Sequence, residues 1–407
     1  MPPTDEKRSI RKVAAAAFVG STVEWYDFFL YGSAAALVFG DLFFPDADPT
    51  VGMLAAFATF GVGFLFRPVG AAIFGHFGDR LGRKAMLVIT LVLMGSSTVA
   101  IGLLPTYDSV GLLAPILLVA LRALQGISVG GEWAGGALMT VEHAPEDKRG
   151  FYGSWPQVGP SAGTLLATGA FAAFNTLPED QFQAWGWRMP FLLSAVVVIV
   201  GLVLRLKLRE SPVFEREVAA ARTEPERAPI VQAFRDHKRE IFLIAGMRLA
   251  INTTFYMATV FALSYGTDQL GIPKGDLLAM VMVTAALGFV SKPLYGALSD
   301  RIGRRPIYLS GSIVGALVAL PFFAALQTES LWLIMLAGIV IVNISHDLND
   351  AVESSYFSEL FGTKVRYTGA ALGHQFGAVL GGFSPLIAGG LSAIAGCPWR
   401  STSRSPA

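Results

Sequence analysis

Cysteine, histidine and charge are all scarce in this 407-residue chain. The single thiol, Cys397, leaves no pair for a disulfide and no cysteine-based metal site. Charged residues are only 15% of the total, against about a quarter in an average soluble protein, so the polar groups needed to face water are missing. Neither sign of charge dominates. Lys+Arg 31 against Asp+Glu 30 gives a net +1, which excludes a polyanion or a nucleic-acid binder. No His-Glu-x-x-His and no phosphate-binding loop occurs, so neither a metalloprotease nor an ATPase is indicated. No nucleophile–base or metal constellation marks an enzyme, and no cofactor is called for. In contrast, 53% of residues are hydrophobic and the mean hydropathy is +0.54, which excludes disorder. Gly 44 and Phe 29 suit helices packed in a bilayer.

A membrane-crossing helix needs about 20 mostly apolar residues. Eleven such stretches are expected, near 13–39, 52–75, 85–104, 112–141, 151–174, 188–206, 241–265, 277–298, 307–326, 331–353 and 368–395. Residues 1–12 carry Lys7, Arg8, Arg11 and Lys12 ahead of a long apolar run. That run holds Glu24 and Asp27, so it reads as a retained first helix rather than a cleaved leader. With the N-terminus in the cytoplasm, 23 of the 31 basic residues fall on the inner side. The outer side then holds only Arg188, Lys274, Arg400 and Arg404, which fits the positive-inside rule.

The chain repeats itself. Gly75-His-Phe-Gly-Asp79-Arg80-Leu-Gly82-Arg83-Lys84 follows the second stretch. Gly296-Ala-Leu-Ser-Asp300-Arg301-Ile-Gly303-Arg304-Arg305 follows the eighth, 221 residues later. Glu142 before Arg149-Gly150 is matched 217 residues on by Glu359 before Arg366, and Gln157-Val-Gly159 by Gln375-Phe-Gly377 at 218. Two homologous halves with a site between them are a transporter plan. The expected organisation is a six-helix half over 1–206, a cytoplasmic linker over 207–240 and a second half of five helices over 241–396. Residues 397–407 are polar and too short to span. On this reading the gene is truncated or frameshifted, with the last of twelve helices missing.

The doubled Gly-x-x-x-Asp-Arg-x-Gly-Arg-Lys/Arg loops resemble the signature of the major facilitator superfamily. Within it, Glu24-Trp-Tyr-Asp27-Phe-Phe-Leu-Tyr-Gly32 is similar to the metabolite:proton symporters. So are Arg67-Pro68-Val-Gly70, Arg122-Ala-Leu-Gln125-Gly126, Gly186-Trp187-Arg188-Met-Pro190-Phe191, Glu210-Ser211-Pro212 and Arg366-Tyr367-Thr368-Gly369. Asn343-Ile-Ser-His346-Asp347, with Arg248-Leu249 and Phe261-Ala262-Leu263, looks most like the shikimate branch. The resemblance implies an all-α bundle of two pseudo-symmetric halves. It also implies proton-coupled uptake of small carboxylates or osmolytes by alternating access, without a bound cofactor. By the same resemblance the loop networks are gates: Gly75, Asp79, Arg80, Gly82, Arg83, Lys84, Glu142 and Arg149 in one half, Asp300, Arg301, Gly303, Arg304, Arg305, Glu359 and Arg366 in the other. They would hold the halves together on the cytoplasmic side while the cavity faces out.

A charge at the bilayer centre costs about 2.5–3.5 kcal/mol on insertion scales, so it persists only where it faces a cavity or a partner. Glu24, Asp27 and Tyr31 share one helical face, and two carboxylates this close disfavour simultaneous ionisation, as suits a proton carrier. The alternative is an acidic pair locked by Arg67 or Arg122. Arg122, Gln125 and Glu132 fall within about 80° of one another on their helix, and Glu132 is a further candidate for carrying the proton. Arg122 is either an anion clamp, a switch partner for the acids, or half of a static pair with Glu132 or Glu24. Arg248, Asn252 and Tyr256 step along one face of the seventh stretch. An anion held between Arg122 and Arg248 would bridge the halves; otherwise Arg248 snorkels to the interface. Asn343, Asp347 and Asp350 share a face, with His346 and Glu353 beside it; these suit a hydroxylated substrate or a proton.

The expected activity is symport of a proton with a shikimate-like hydroxylated carboxylate, by a monomer in a plasma or inner membrane. The rivals are a dicarboxylate, 2-oxoglutarate or proline/betaine-type substrate, and a non-transporting truncated protein or sensor.

Overall fold

The computed structural model describes residues 3–46, 49–174, 176–211, 215, 229–362, 365–385, 387–388 and 391. The polar tail 397–407 and residues 212–214 and 216–228 of the expected linker lie outside the described residues. Among those described the chain is helical, with no strand. The long helices are α1 (Pro3–Leu37), α2 (Pro49–Leu81), α3 (Arg83–Gly102), α4 (Leu113–His143), α5 (Trp155–Phe174) and α6 (Arg188–Leu206). After the linker come α7 (Lys238–Thr267), α8 (Lys274–Ile302), α9 (Arg304–Gln327), α10 (Leu331–Glu359) and α11 (Arg366–Gly382). Turns of π-helix interrupt α7 at Met257–Phe261 and α10 at Ile339–His346.

Eight of these helices are long and apolar enough to cross a membrane. Within the described residues α1, α5 and α11 are not among them. α1 carries Glu24 and Asp27 and starts ahead of the expected 13, taking in the basic N-terminal residues, while α11 is only 17 residues long. Aliphatic side chains crowd the outer faces, with Leu317 and Leu320 of α9 and Val290 of α8 more than half exposed. Such a surface suits lipid and not water.

Two close helix pairs frame the interior. α1 packs along α5, and α7 along α11. The repeated Gln-x-Gly explains both. A Cβ on Gly159 would sit 2.5 Å from Ser21 Cβ of α1, and one on Gly377 would sit 2.4 Å from the Ala245 carbonyl oxygen of α7. Small residues here let backbones touch. α2 and α4 approach in the same way: a Cβ on Gly70 would lie 1.8 Å from the Ile127 carbonyl oxygen. Gly70→Ala must therefore push α2 from α4, at about 1–3 kcal/mol for overpacking. Its melting temperature in detergent is expected below wild type. Gly61→Ala, whose added Cβ meets nothing within 4 Å, should leave melting unmoved; equal melting of both variants would refute the tight α2–α4 contact.

The doubled loops turn on glycine. Gly82 (φ 107°) and Gly303 (φ 96°) occupy a region that side chains disfavour, and each launches the next helix, α3 and α9. Glu210 of the Glu210-Ser211 motif accepts from the Arg83 and Lys84 amides at 3.0 and 3.1 Å, capping the start of α3.

Candidate functional site

Two clusters of buried charge lie at mid-helix depth. In the first, Asp27 accepts from Thr98 Oγ1 and Gln125 Nε2, each at 2.6 Å, and from Arg122 Nη1 at 3.3 Å. Arg122 also donates to Gln125 Oε1 at 3.0 Å, and its guanidinium lies 4.2 Å over the Tyr31 ring. Tyr31 is fully buried, its hydroxyl 2.5 Å from Thr59 Oγ1. Asp27, Arg122, Gln125 and Tyr31 thus meet as one unit. Glu24 does not join by hydrogen bonding. With Arg67 it faces the same small recess, lined by Asp27, Phe28, Arg122 and Gln125, and neither makes a hydrogen bond or ion pair among the described residues. Arg67 instead lies 4.6 Å over the Phe64 ring.

Glu132 goes elsewhere. It pairs with Arg205 Nη1 (2.9 Å) and Nη2 and accepts from Thr90 Oγ1 at 2.7 Å. The shared helical face with Arg122 is real, but ten residues are about 15 Å of helix, a different depth. Arg205, in the last turn of α6, is almost fully buried.

The second cluster gathers on α10. Arg248 Nη1 reaches Glu353 Oε2 at 2.7 Å and Asp350 Oδ1 at 3.4 Å, so Arg248 is buried and paired and does not snorkel. Lys292 Nζ lies 2.8 Å from Asp350 and 3.9 Å from Asp347. Asp347 accepts from Asn343 Nδ2 at 2.9 Å and from Ser291 Oγ, and stands 3.0 Å from His346 Nδ1. Asn252 reaches only the Ala378 carbonyl, at 3.5 Å. Glu353, expected near the inner boundary, has no exposed surface because α10 continues to Glu359. Lys292 and Gln157 complete the second cluster and Arg67 lines the recess of the first, while Arg205 joins Glu132 apart from both. Arg67 was expected as a lock on Glu24 and Asp27, and Lys292 as the partner of an acid on another helix. A basic residue inside an apolar run was the signal for Arg67 and Lys292, and the Gln-x-Gly repeat was the signal for Gln157.

A cavity of about 520 Å³ opens toward the C-terminal ends of α1, α5 and α11. Phe28, Phe29, Phe60, Phe64 and Tyr256 line it. Phe28 also borders the Glu24–Arg67 recess, while Thr164, Thr259 and Val281 border a second recess that holds Lys292, His346 and Asp347. Both charge clusters therefore lie beneath one chamber. Phe28 stacks on Tyr256 at 6.2 Å between α1 and α7.

The opposite end is shut by the doubled loops. Asp79 accepts from the Tyr367 and Thr368 amides (3.2 and 3.0 Å) and from Thr368 Oγ1 (2.7 Å), capping α11. Asp300 accepts from the Gly150 and Phe151 amides (2.7 and 2.8 Å) in the turn that leads to α5. Each aspartate of one repeat therefore holds a helix start of the other, where partial positive charge favours an anion. A Cβ on Gly75 would lie 2.8 Å from Thr368 Cα, so that glycine permits the approach. Arg83 lies 3.4 Å from Glu142, as does Arg366; Arg304 lies 2.7 Å from Asp300 and 3.5 Å from Glu359. Lys84 Nζ reaches the Leu206 carbonyl at 3.1 Å. Arg149 pairs only locally, with Glu146 at 3.7 Å, and Arg80, Arg301 and Arg305 are exposed.

The Major Facilitator Superfamily profile matches residues 17–385. The chain belongs to that superfamily. It is 46% identical to a shikimate transporter of Escherichia coli K12 over 96% of this chain and 90% of the relative. It is 42% identical to the inner membrane metabolite transport protein YhjE of the same organism over 93% and 87%. It is 37% identical to a proline/betaine transporter of Salmonella typhimurium LT2 over 93% and 77%. Among solved structures, the proton:xylose symporter XylE bound to 6-bromo-6-deoxy-D-glucose superposes with a TM-score of 0.72 at 15% identity, covering 96% of this chain and 90% of that one. A partially occluded inward-open form of the xylose transporter from E. coli gives 0.65 at 17% identity, covering 93% of each chain. The chain is a multi-pass membrane protein of a transporter family, as its paired loops and intramembrane charges led one to expect.

Proposed function

We propose that the chain is a proton symporter that imports a small hydroxylated carboxylate of the shikimate type. The observation that carries this reading is the chamber itself. It is open at one end and latched at the other by Asp79 and Asp300, and it lies above one cluster with a guanidinium and another rich in carboxylate, amide and imidazole groups. Its volume suits a small solute. The likeness to a shikimate transporter supports the substrate class.

In this scheme eleven helices cross the membrane with the N-terminus in the cytoplasm, residues 1–206 and 241–396 move as two halves joined by 207–240, and one chain suffices. Arg122 exchanges Asp27 for the substrate carboxylate, while Asp27 and Glu24 take the proton. Asn343, His346 and Asp347 meet the substrate hydroxyls, because amide, imidazole and carboxylate together offer donors and acceptors. Tyr256 and Phe28 close over the bound solute. Nothing in the scheme makes or breaks a covalent bond of the solute, so no enzymatic step enters it.

A second reading has its own observation. The aromatic walls Phe28, Phe29, Phe60 and Phe64 suit a quaternary ammonium, and a relative is named a proline/betaine transporter. Uptake of labelled shikimate into expressing cells is expected to exceed that of control cells and to collapse with an uncoupler. Excess unlabelled shikimate should compete, and betaine and dicarboxylates should not. Uptake that ignores the uncoupler would refute proton coupling, and competition by betaine would favour the second reading.

A further inference from the structure

Beneath the chamber, α10 carries a descending ladder of acids: Asp347, Asp350 and Glu353. It drops about 9 Å along the helix at 1.5 Å per residue. Bases form its rungs. Lys292 joins Asp347 to Asp350, and Arg248 joins Asp350 to Glu353. The upper end, His346 with Asp347, borders the recess beside the chamber. The lower end meets side chains from α4, α5 and α11. Glu353 Oε2 accepts from Gln157 Nε2 at 2.6 Å, and Gln157 Oε1 accepts from the Trp133 indole N–H at 3.2 Å. His374 of α11 stacks flat on Trp133, with ring centroids 3.8 Å apart and planes 12° apart.

Two unmet needs face each other there. Glu353 Oε1 has no hydrogen bond, and neither ring nitrogen of His374 has one; both side chains are buried. His374 Nε2 lies 3.8 Å from Glu353 Oε1, near enough to pair and too far to bond. Charge is also out of balance. Three carboxylates meet two bases on the ladder, leaving one negative charge uncompensated while both histidines are neutral. Beyond the ladder, Arg67 of α2 faces His374 and Tyr308 of α9 faces Glu353, while Glu24 of α1 and Tyr256 of α7 face Arg248. Glu24 offsets Arg67 only while Glu24 is ionised, and the tyrosines are neutral near pH 7. One added proton cancels the excess, and an uncompensated buried charge is costly.

We propose that Glu353 and His374 form a second proton-holding pair, besides Asp27 and Glu24, at the seam between the two repeats, a role that rests on the symporter reading. The proton comes from chamber water by way of His346 and Asp347 and lodges between Glu353 Oε1 and His374 Nε2. It leaves to cytoplasmic water when α4 and α5 part from α10 and α11, taking Trp133 and Gln157 away. Coupling follows, because the seam that releases the proton is the one the aspartate latches close.

Two measurements test the pair on the full chain. The first needs no substrate. Tryptophan fluorescence of the purified protein, titrated between about pH 5 and 9, should show a transition as the Glu353–His374 pair beside Trp133 gains its proton. His374→Gln and Trp133→Phe should each remove it. A wild type without the transition, or the same transition in His374→Gln, would overturn the proposal. The second separates coupling from folding. His374→Gln and Glu353→Gln should lose accumulation driven by a pH gradient and keep solute exchange at equal pH. Equal loss of both activities would assign the pair a structural role and overturn the proposal. Absence of shikimate exchange in the wild type would defeat the substrate reading and leave the fluorescence result standing.

Discussion

Arg122→Ala is expected to abolish solute uptake, with a second effect that shows why. The substitution strands Asp27, buried and held otherwise only by Thr98 and Gln125. Breaking such a pair costs about 3–5 kcal/mol, because the remaining charge loses its counter-ion. The single variant should therefore express poorly as well as fail to transport. Adding Asp27→Asn removes the stranded charge and should restore expression and melting temperature toward wild type. Uptake should stay absent, because the guanidinium that would meet a carboxylate is gone. Normal uptake in either variant would remove Arg122 from the substrate path. Recovery of uptake in the double variant would reduce the pair to a structural lock.

The latch gives the second large effect. Asp79→Ala removes the acceptor for two amides and a hydroxyl at the start of α11. A lost cap costs about 0.5–2 kcal/mol, and hydrogen bonds to a charged group are worth about 1.5–3 kcal/mol. A difference of about 1.4 kcal/mol is tenfold in a conformational ratio. The state closed at the loop end should thus lose on the order of tenfold or more of its population. The only native thiol is Cys397. With Cys397→Ser as background, a cysteine at Ser354, buried in the closed seam, should react with a membrane-permeant maleimide much faster once Asp79 is replaced. Asp300→Ala should act alike, since Asp300 holds the Gly150 and Phe151 amides in the mirrored position. Unchanged labelling rates would mean that the aspartates do not hold the closed state.

Much of this architecture is written in single residues. The doubled aspartates and glycines betray the repeat because each needs a particular backbone geometry: an anion at a helix start, and a positive φ at Gly82 and Gly303. The paired Gln-x-Gly is legible for the same reason, since only a small residue lets α5 meet α1 and α11 meet α7. Pairing of buried charges is less legible. Helical periodicity says which residues share a face, and it placed Glu24, Asp27 and Tyr31 together. It does not give the rotation or depth of the facing helix. Asp27 finds Arg122, whereas Glu24, one turn away, does not. Glu132, on the face of Arg122 but further along, finds Arg205. Glu353 and His374 were hidden for a related reason. Their meeting depends on α10 continuing past 353 and on α11 crossing it, neither of which periodicity reports.

The proposed binding of a carboxylate and a proton by two charge clusters beneath one chamber makes a direct demand on energetics. Purified protein reconstituted into liposomes, given an inside-alkaline pH gradient and labelled shikimate, should concentrate the solute above its external level. It should do so without added nucleotide, and the accumulated solute should leak away when a protonophore collapses the gradient. Uptake that stops at equal concentrations, or that persists undiminished with the protonophore, would contradict the account.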